Sequence, residues 1–140
     1  LDYLLLAMES LPEDCVLIIV GELTQRFDFD SRVIHVKRTD SVEEMADLYS
    51  SADVFANPTL EDNFPTTNIE SLACGTPVVT FSTGGSPEAV DETCGIVVDK
   101  ADGAALVSAI LEVRNKGKSS YTAACRHRAV KRYAKQDRFR

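Results

Sequence analysis

Leu1, Leu4, Leu5 and Met8 fall at the i, i+3, i+4, i+7 positions of one helical face, and Pro12 ends that helix. The pattern then changes. Cys15-Val-Leu-Ile-Ile-Val20 is a continuous apolar run of strand length, which predicts a strand buried on both faces and closed by Gly21 and Glu22. Residues 23–31 are polar and irregular, and Arg32-Val-Ile-His-Val36 predicts a second, shorter strand. Ser41-Val-Glu-Glu44 has the spacing of a capping box, in which hydroxyl and carboxylate satisfy amides at a helix start. Val42, Met45, Leu48 and Tyr49 give that helix its inward face. Asp53-Val-Phe-Ala-Asn57 predicts the next strand, stopped by Pro58. A helix follows over 65–74, with Ile69, Leu72 and Ala73 inward and Gly75 as its stop. Pro77-Val-Val-Thr-Phe81 predicts a strand, Gly84-Gly85 a turn, and Ser86-Pro87 the cap and first residue of a short helix. Gly95-Ile-Val-Val98 predicts the last strand. Asp102 caps a helix whose face is Leu106, Ala109, Ile110 and Val113, and a final basic helix covers 120–135. Between the last two helices, Gly117-Lys-Ser-Ser120 reads as a flexible joint rather than a domain boundary.

Strand and helix alternate throughout, so the predicted class is α/β, a Rossmann-like three-layer sandwich with a mostly parallel sheet. Such sheets take ligands at the C-terminal ends of their strands, where strand order reverses. The 140 residues fit one domain, 1–140, with no internal repeat. No apolar run approaches membrane-spanning length, and acids at 2, 9, 13 and 14 break up any signal-peptide core. The formal net charge of −7 argues against a nucleic-acid partner. The charge is unevenly placed. Arg126, Arg128, Lys131, Arg132, Lys135, Arg138 and Arg140 crowd the C-terminal end of the chain, against the single acid Asp137. Two readings stay open for that basic run: a solvated helix face, or a surface that meets anionic lipid or another domain. Cys15, Cys74, Cys94 and Cys125 form no C-x-x-C pair and neither histidine lies near such a pair, so reduced structural thiols and no metal are expected. Cys15 and Cys74, on apolar elements, read as small core residues.

One segment is unlike generic α/β sequence: Asn57-Pro-Thr-Leu-Glu-Asp-Asn-Phe-Pro-Thr-Thr-Asn-Ile-Glu70. It places a strand end, an acidic loop and a helix N-terminus together. Amides at a helix start lack intrahelical acceptors, and the helix dipole favours anions there, which suits a diphosphate. A carboxylate such as Glu70 accepts from hydroxyl donors, and Asp62 in the loop could grip hydroxyls of a sugar lying over the phosphates. The plainer reading is that Asp62 and Glu70 only favour the helix N-terminus, and the spacing alone leaves both open.

The run Glu61-Asp-Asn-Phe-Pro65, then Glu70-Ser-Leu-Ala-Cys-Gly-Thr-Pro-Val-Val79, then Gly84-Gly-Ser-Pro-Glu88, resembles the donor domain of group 1 (family 4) retaining glycosyltransferases of the GT-B fold. Asp53 to Pro58 and Gly95 to Val98 match in order and spacing, so the likeness covers nearly the whole chain. The resemblance implies that Glu70 binds the ribose hydroxyls and that Asp62 contacts the donor sugar, with Glu61 the rival for that role. Asn63, Phe64 and Pro65 stand where the family has a Gly-Phe-Gly-like loop, and Pro65 has no N–H to offer. Thr66 and Thr67 should meet the diphosphate, and Val36, Lys37 and Arg38 should lie near the base. Glu88 is expected to support its short helix rather than touch ligand.

The same resemblance implies hexose transfer from a nucleoside-diphosphate sugar to a hydroxyl with retention, without metal or other cofactor, in polysaccharide or glycoconjugate synthesis. The reduced thiols point to the cytoplasm, and the lipid-facing reading of the basic run would add peripheral contact at the inner membrane face. The chain would then lack the domain's first strand, the Arg and Lys before the helix at Leu1, and the N-terminal acceptor domain that is its natural partner, and would be inactive alone. Two rival readings are a sugar-nucleotide epimerase of the same architecture and a non-catalytic nucleotide-binding module. A dinucleotide-dependent dehydrogenase is disfavoured because no G-x-G-x-x-G follows the first strand.

Overall fold

The structure is a computed structural model, and it describes residues 1–23, 26, 28–60 and 66–137. Pro12 shapes the start of the chain: it forces extended backbone on Leu11 (φ −81°, ψ 153°), and helix α1 ends before it, at Asp2–Ser10. Strands β1 (Leu17–Val20) and β2 (Val33–Val36) pair in parallel, with Leu17 opposite Val33 and Val20 opposite Val36. Helix α2 (Val42–Ser51) starts at the predicted cap, where the Ser41 hydroxyl accepts from the Glu44 amide at 3.1 Å. The Glu44 carboxylate reaches back one residue further than a capping box requires, accepting from the Asp40 amide.

Strands β3 (Phe55–Asn57), β4 (Val78–Phe81) and β5 (Gly95–Val98) form a second parallel sheet in that order. Helix α3 (Thr66–Ala73) joins β3 to β4. A 3₁₀ turn over Ser86–Ala89 joins β4 to β5, with Gly85 rather than Ser86 in the cap position. Every residue of β4 is buried, so layers cover both of its faces. Helix α4 (Gly103–Lys116) packs on β4 and β5 and against α1, while α3 packs on α5 (Thr122–Asp137) and α2. Tyr3 of α1 meets Phe81 edge-on at 5.1 Å. The core is Ile69, Leu72, Val78, Val79, Phe81, Leu106, Val113 and their neighbours, around β4.

The α/β class, the element order and the parallel pairing agree with the sequence reading, and the four inward residues of α4 are all buried. Several details differ. The strands do not form one sheet: among the described residues β1–β2 and β3–β4–β5 are separate. Only one face of β1 is covered, because Ile18 and Val20 point outward and are exposed. Val42 is 83% exposed; Tyr49 is the buried residue of α2, with Met45, Ala46 and Leu48 half-buried. Ala73 is exposed, whereas Asn68 and Ser71 share the buried face with Ile69 and Leu72. Cys15 and Cys74 are only half-buried, and the core thiols are Cys94 and Cys125. The joint at 117–120 is an ordered 3₁₀ turn over Lys118–Ser120, tied to α2 by Lys118 Nζ donating to the Ser50 carbonyl.

Candidate functional site

Helix α3 is held at both ends, by paired side chains at its start and by backbone bonds at its stop. At the N-terminal end, Asn57 closes β3 and donates through Nδ2 to Asn68 Oδ1 at 3.0 Å. Asn57 is opposite Thr80 in the sheet, and the Thr80 hydroxyl donates to the Asn57 carbonyl at 3.1 Å. Asn68 and Thr80 are fully buried, so these polar groups must be paired inside the protein, and the pairing fixes the first turn of α3 to the ends of β3 and β4. At the other end Gly75 adopts φ +80°. Its amide donates to Leu72 O at 2.9 Å, and the Thr76 amide donates to Ser71 O at 3.0 Å, the two bonds of a Schellman stop.

The helical period then sets out the site. Thr66 and Thr67 open α3 and are exposed. Glu70 lies four residues beyond Thr66 and three beyond Thr67, so all three share one stripe, with neighbouring Cβ atoms about 5–6 Å apart. The stripe presents two hydroxyls, the amide-rich end of a helix and a carboxylate at the C-terminal edge of a parallel sheet. Glu70 is half-buried, and Tyr49 Oη donates to its Oε2 at 3.3 Å. The carboxylate is therefore neither turned into the core nor neutralised by a cation among the described residues. Thr83 brings a further hydroxyl to the end of β4, 6% exposed and without a hydrogen-bond partner among the described residues.

Other residues singled out in the sequence fall elsewhere. Val36 ends β2 and is half-buried, with its carbonyl accepting from the Gly21 amide. Lys37 and Arg38 follow it and are exposed. Val36 belongs to the other sheet and Lys37 and Arg38 follow its strand, and the structure joins none of them to Glu70. Glu61, Asp62, Asn63, Phe64 and Pro65 lie outside the described residues. Glu88 is exposed on the 3₁₀ turn, and its carbonyl accepts from Arg128. Arg128 also donates to the Ala89 carbonyl at 3.2 Å and lies 3.8 Å from Asp91, so this member of the basic run has an internal task. Arg126, His127 and Lys131 are exposed, and Arg138 and Arg140 lie outside the described residues.

The site residues that sequence reasoning missed are Asn57, Asn68 and Thr80, which anchor α3, and the hydroxyl of Tyr49. A signal was present for Asn68 and Tyr49. Asn68 sits on the apolar stripe of α3, where an amide has to find a partner, and a tyrosine on the inward face of α2 carries a hydroxyl with the same need.

No described helix is long and apolar enough to cross a membrane. A family model described as glycosyl transferases, group 1, matches residues 1–116. The chain is 34% identical over 110 residues to the D-inositol 3-phosphate glycosyltransferase of Mycobacteroides abscessus, covering 69% of this chain and 25% of that protein. Among solved structures, sucrose-phosphate synthase from Thermosynechococcus elongatus superposes with a TM-score of 0.80 at 30% identity, over 91% of this chain and 36% of that one. HepE of Anabaena, solved in complex with UDP, superposes with a TM-score of 0.79 at 21% identity, over 94% of this chain and 40% of that one, a likeness of fold. The chain spans about a quarter of the length of the curated relative it matches.

Proposed function

The chain belongs to the group 1 glycosyltransferases, and on that premise we propose that it is the part of such an enzyme that holds a nucleoside-diphosphate sugar. The observation that carries this reading is the stripe of Thr66, Thr67 and Glu70 at the start of α3, with the carboxylate held by Tyr49 and otherwise open. The diphosphate lies against the first-turn amides and the two threonine hydroxyls, where the helix dipole favours negative charge. The Glu70 carboxylate accepts from the two ribose hydroxyls. The donor sugar reaches over the loop that contains Glu61 and Asp62, and Asp62 grips its hydroxyls. The base lies toward Val36, Lys37 and Arg38.

In the whole enzyme this half presents a hexose to an acceptor hydroxyl bound by an N-terminal domain, and transfer retains the anomeric configuration. No metal is assigned a role: amides and cationic side chains oriented in advance stabilise the departing diphosphate. Polysaccharide or glycoconjugate assembly is the setting, in the cytoplasm at the inner membrane face. The division of the strands into two sheets supports the view that a further strand of the enzyme belongs between β1 and β3.

Calorimetric titration of the chain with UDP and with GDP tests the reading. Weak binding of at least one is expected, with no sugar transfer from its nucleotide sugar. Glu70→Ala should lower that affinity at least about tenfold, the loss of a charge-assisted hydrogen bond. A Glu70→Ala chain that binds as the parent does would refute the assignment.

A further inference from the structure

We propose that Tyr49 is a positioning residue of the nucleotide site, holding the Glu70 carboxylate in the orientation that the ribose diol requires. The proposal rests on the reading of Glu70 given above. Its own evidence is the way Tyr49 is built in. The side chain is 6% exposed and its ring packs edge-on against Phe55, with centroids 5.5 Å apart and an interplanar angle of 84°. Its carbonyl accepts from the Thr76 hydroxyl at 2.6 Å and from the Ala52 amide at 3.2 Å. Thr76 in turn belongs to the stop of α3, where its carbonyl accepts from the Ser71 hydroxyl at 3.0 Å. The last turn of α2 is therefore tied to the C-terminal stop of α3, and the phenol reaches Glu70 with its ring packed and its backbone bonded.

Two consequences follow for binding. A glutamate left to itself loses rotamer freedom when it grasps a ligand, and a donor that orders it beforehand removes that penalty from the binding step. The phenol occupies Oε2 and leaves Oε1 with its lone pairs, so the carboxylate can still accept from the diol. A tyrosine needed for packing alone would be replaceable by phenylalanine without any effect on nucleotide. One that positions Glu70 would not be.

The experiment titrates the chain with UDP, GDP and ADP by calorimetry. The tightest of these is then compared with its 2′,3′-dideoxy form in the parent, Tyr49→Phe, Glu70→Gln and the double variant. Tyr49→Phe keeps the ring on Phe55. It should weaken the ribonucleotide about three- to tenfold, the range for an ordinary hydrogen bond, which suits a 3.3 Å contact acting on the ligand through Glu70. It should have no effect on the dideoxy nucleotide and none in the Glu70→Gln background. Parent-like affinity in Tyr49→Phe while Glu70→Gln is weakened overturns the proposal and leaves the reading of Glu70 standing. An equal loss for the dideoxy nucleotide, or in the Glu70→Gln background, also overturns it, because that pattern reports general loosening. Glu70→Gln binding as tightly as the parent, or no nucleotide binding at all, brings down the reading of Glu70 and Tyr49 with it. If Tyr49→Phe does not fold, Glu70→Asp draws the carboxylate away from the phenol by one methylene. The same ribose-dependent loss is then expected, and unchanged affinity overturns the proposal.

Discussion

Cys94 and Cys125 show how far position can alter a side chain's chemistry. Both are fully buried, and the Cys125 Sγ lies 3.7 Å from the Cys94 carbonyl. Burial pushes the Cys94 thiol up to about 11 and the Cys125 thiol up to about 12. At neutral pH neither is a thiolate, so neither is a nucleophile or a ready metal ligand. The sign of the pH dependence follows. A thiol whose folded value lies above its unfolded value of 9.0 holds its proton in the folded chain after the unfolded chain has lost it. Stability from these two groups is therefore complete below about pH 9 and is lost as the pH rises from there through 11–12. Urea unfolding midpoints should fall between pH 8.5 and pH 10.5, and the fall should be shallower in a Cys94→Ala, Cys125→Ala chain, with about these pH values as the useful window. A thiol reagent at pH 7.5 should modify Cys15 and Cys74 well before the buried pair. Sequence position pointed to Cys15 and Cys74 as the core thiols and did not place the other two, because an apolar neighbourhood along the chain says nothing about which face is covered.

At the scale of elements, the sequence was informative wherever a local rule acts alone. Asp102 accepts from the Ala105 amide at 2.9 Å, Ser41 caps α2, and Gly75 stops α3, each from a side-chain or backbone property that needs no distant partner. It was less informative where burial depends on what lies opposite. Val42 matches the helical period yet meets solvent, and Asn68 breaks the pattern yet is buried, because its partner Asn57 lies on another element. Glu61 to Pro65, which the family resemblance assigns to the donor loop, lie outside the described residues. Strand β5 carries a prediction at this scale. A Cβ added to Gly95 would lie 2.0 Å from the Val78 carbonyl oxygen, in the backbone of the neighbouring strand, where no side chain can yield. Gly95→Ala should destabilise the chain by about 2–3 kcal/mol or prevent folding, measured by urea denaturation. Gly117→Ala is the contrast. Nothing stands within 4 Å of the added carbon, so its effect reports only the strain of φ +89°.

For the whole molecule, alternation along the chain foretold parallel strands between helices but not their separation into two sheets. One face of the two-stranded sheet is also apolar and uncovered. Ile18 and Ile34 are opposite one another, at 38% and 50% exposed, and Val20 and Val16 extend the face at 37% and 57%. A contiguous apolar face beside open strand edges tends to find a partner. Light scattering should show association that grows with chain concentration, and Ile18→Lys with Ile34→Lys should return the chain to monomer. A parent chain that is monomeric at high concentration would show that the face is tolerated in water.

The contact of α5 with Gly75 has a further consequence. Thr122 donates its hydroxyl to the Gly75 carbonyl at 2.9 Å, and Arg126 lies just beyond. The far end of α3 is thus braced by the last helix of the chain. Any event that peels α5 away, such as proteolytic trimming, would loosen α3 and with it the nucleotide site proposed at its opposite end, without altering a single residue there.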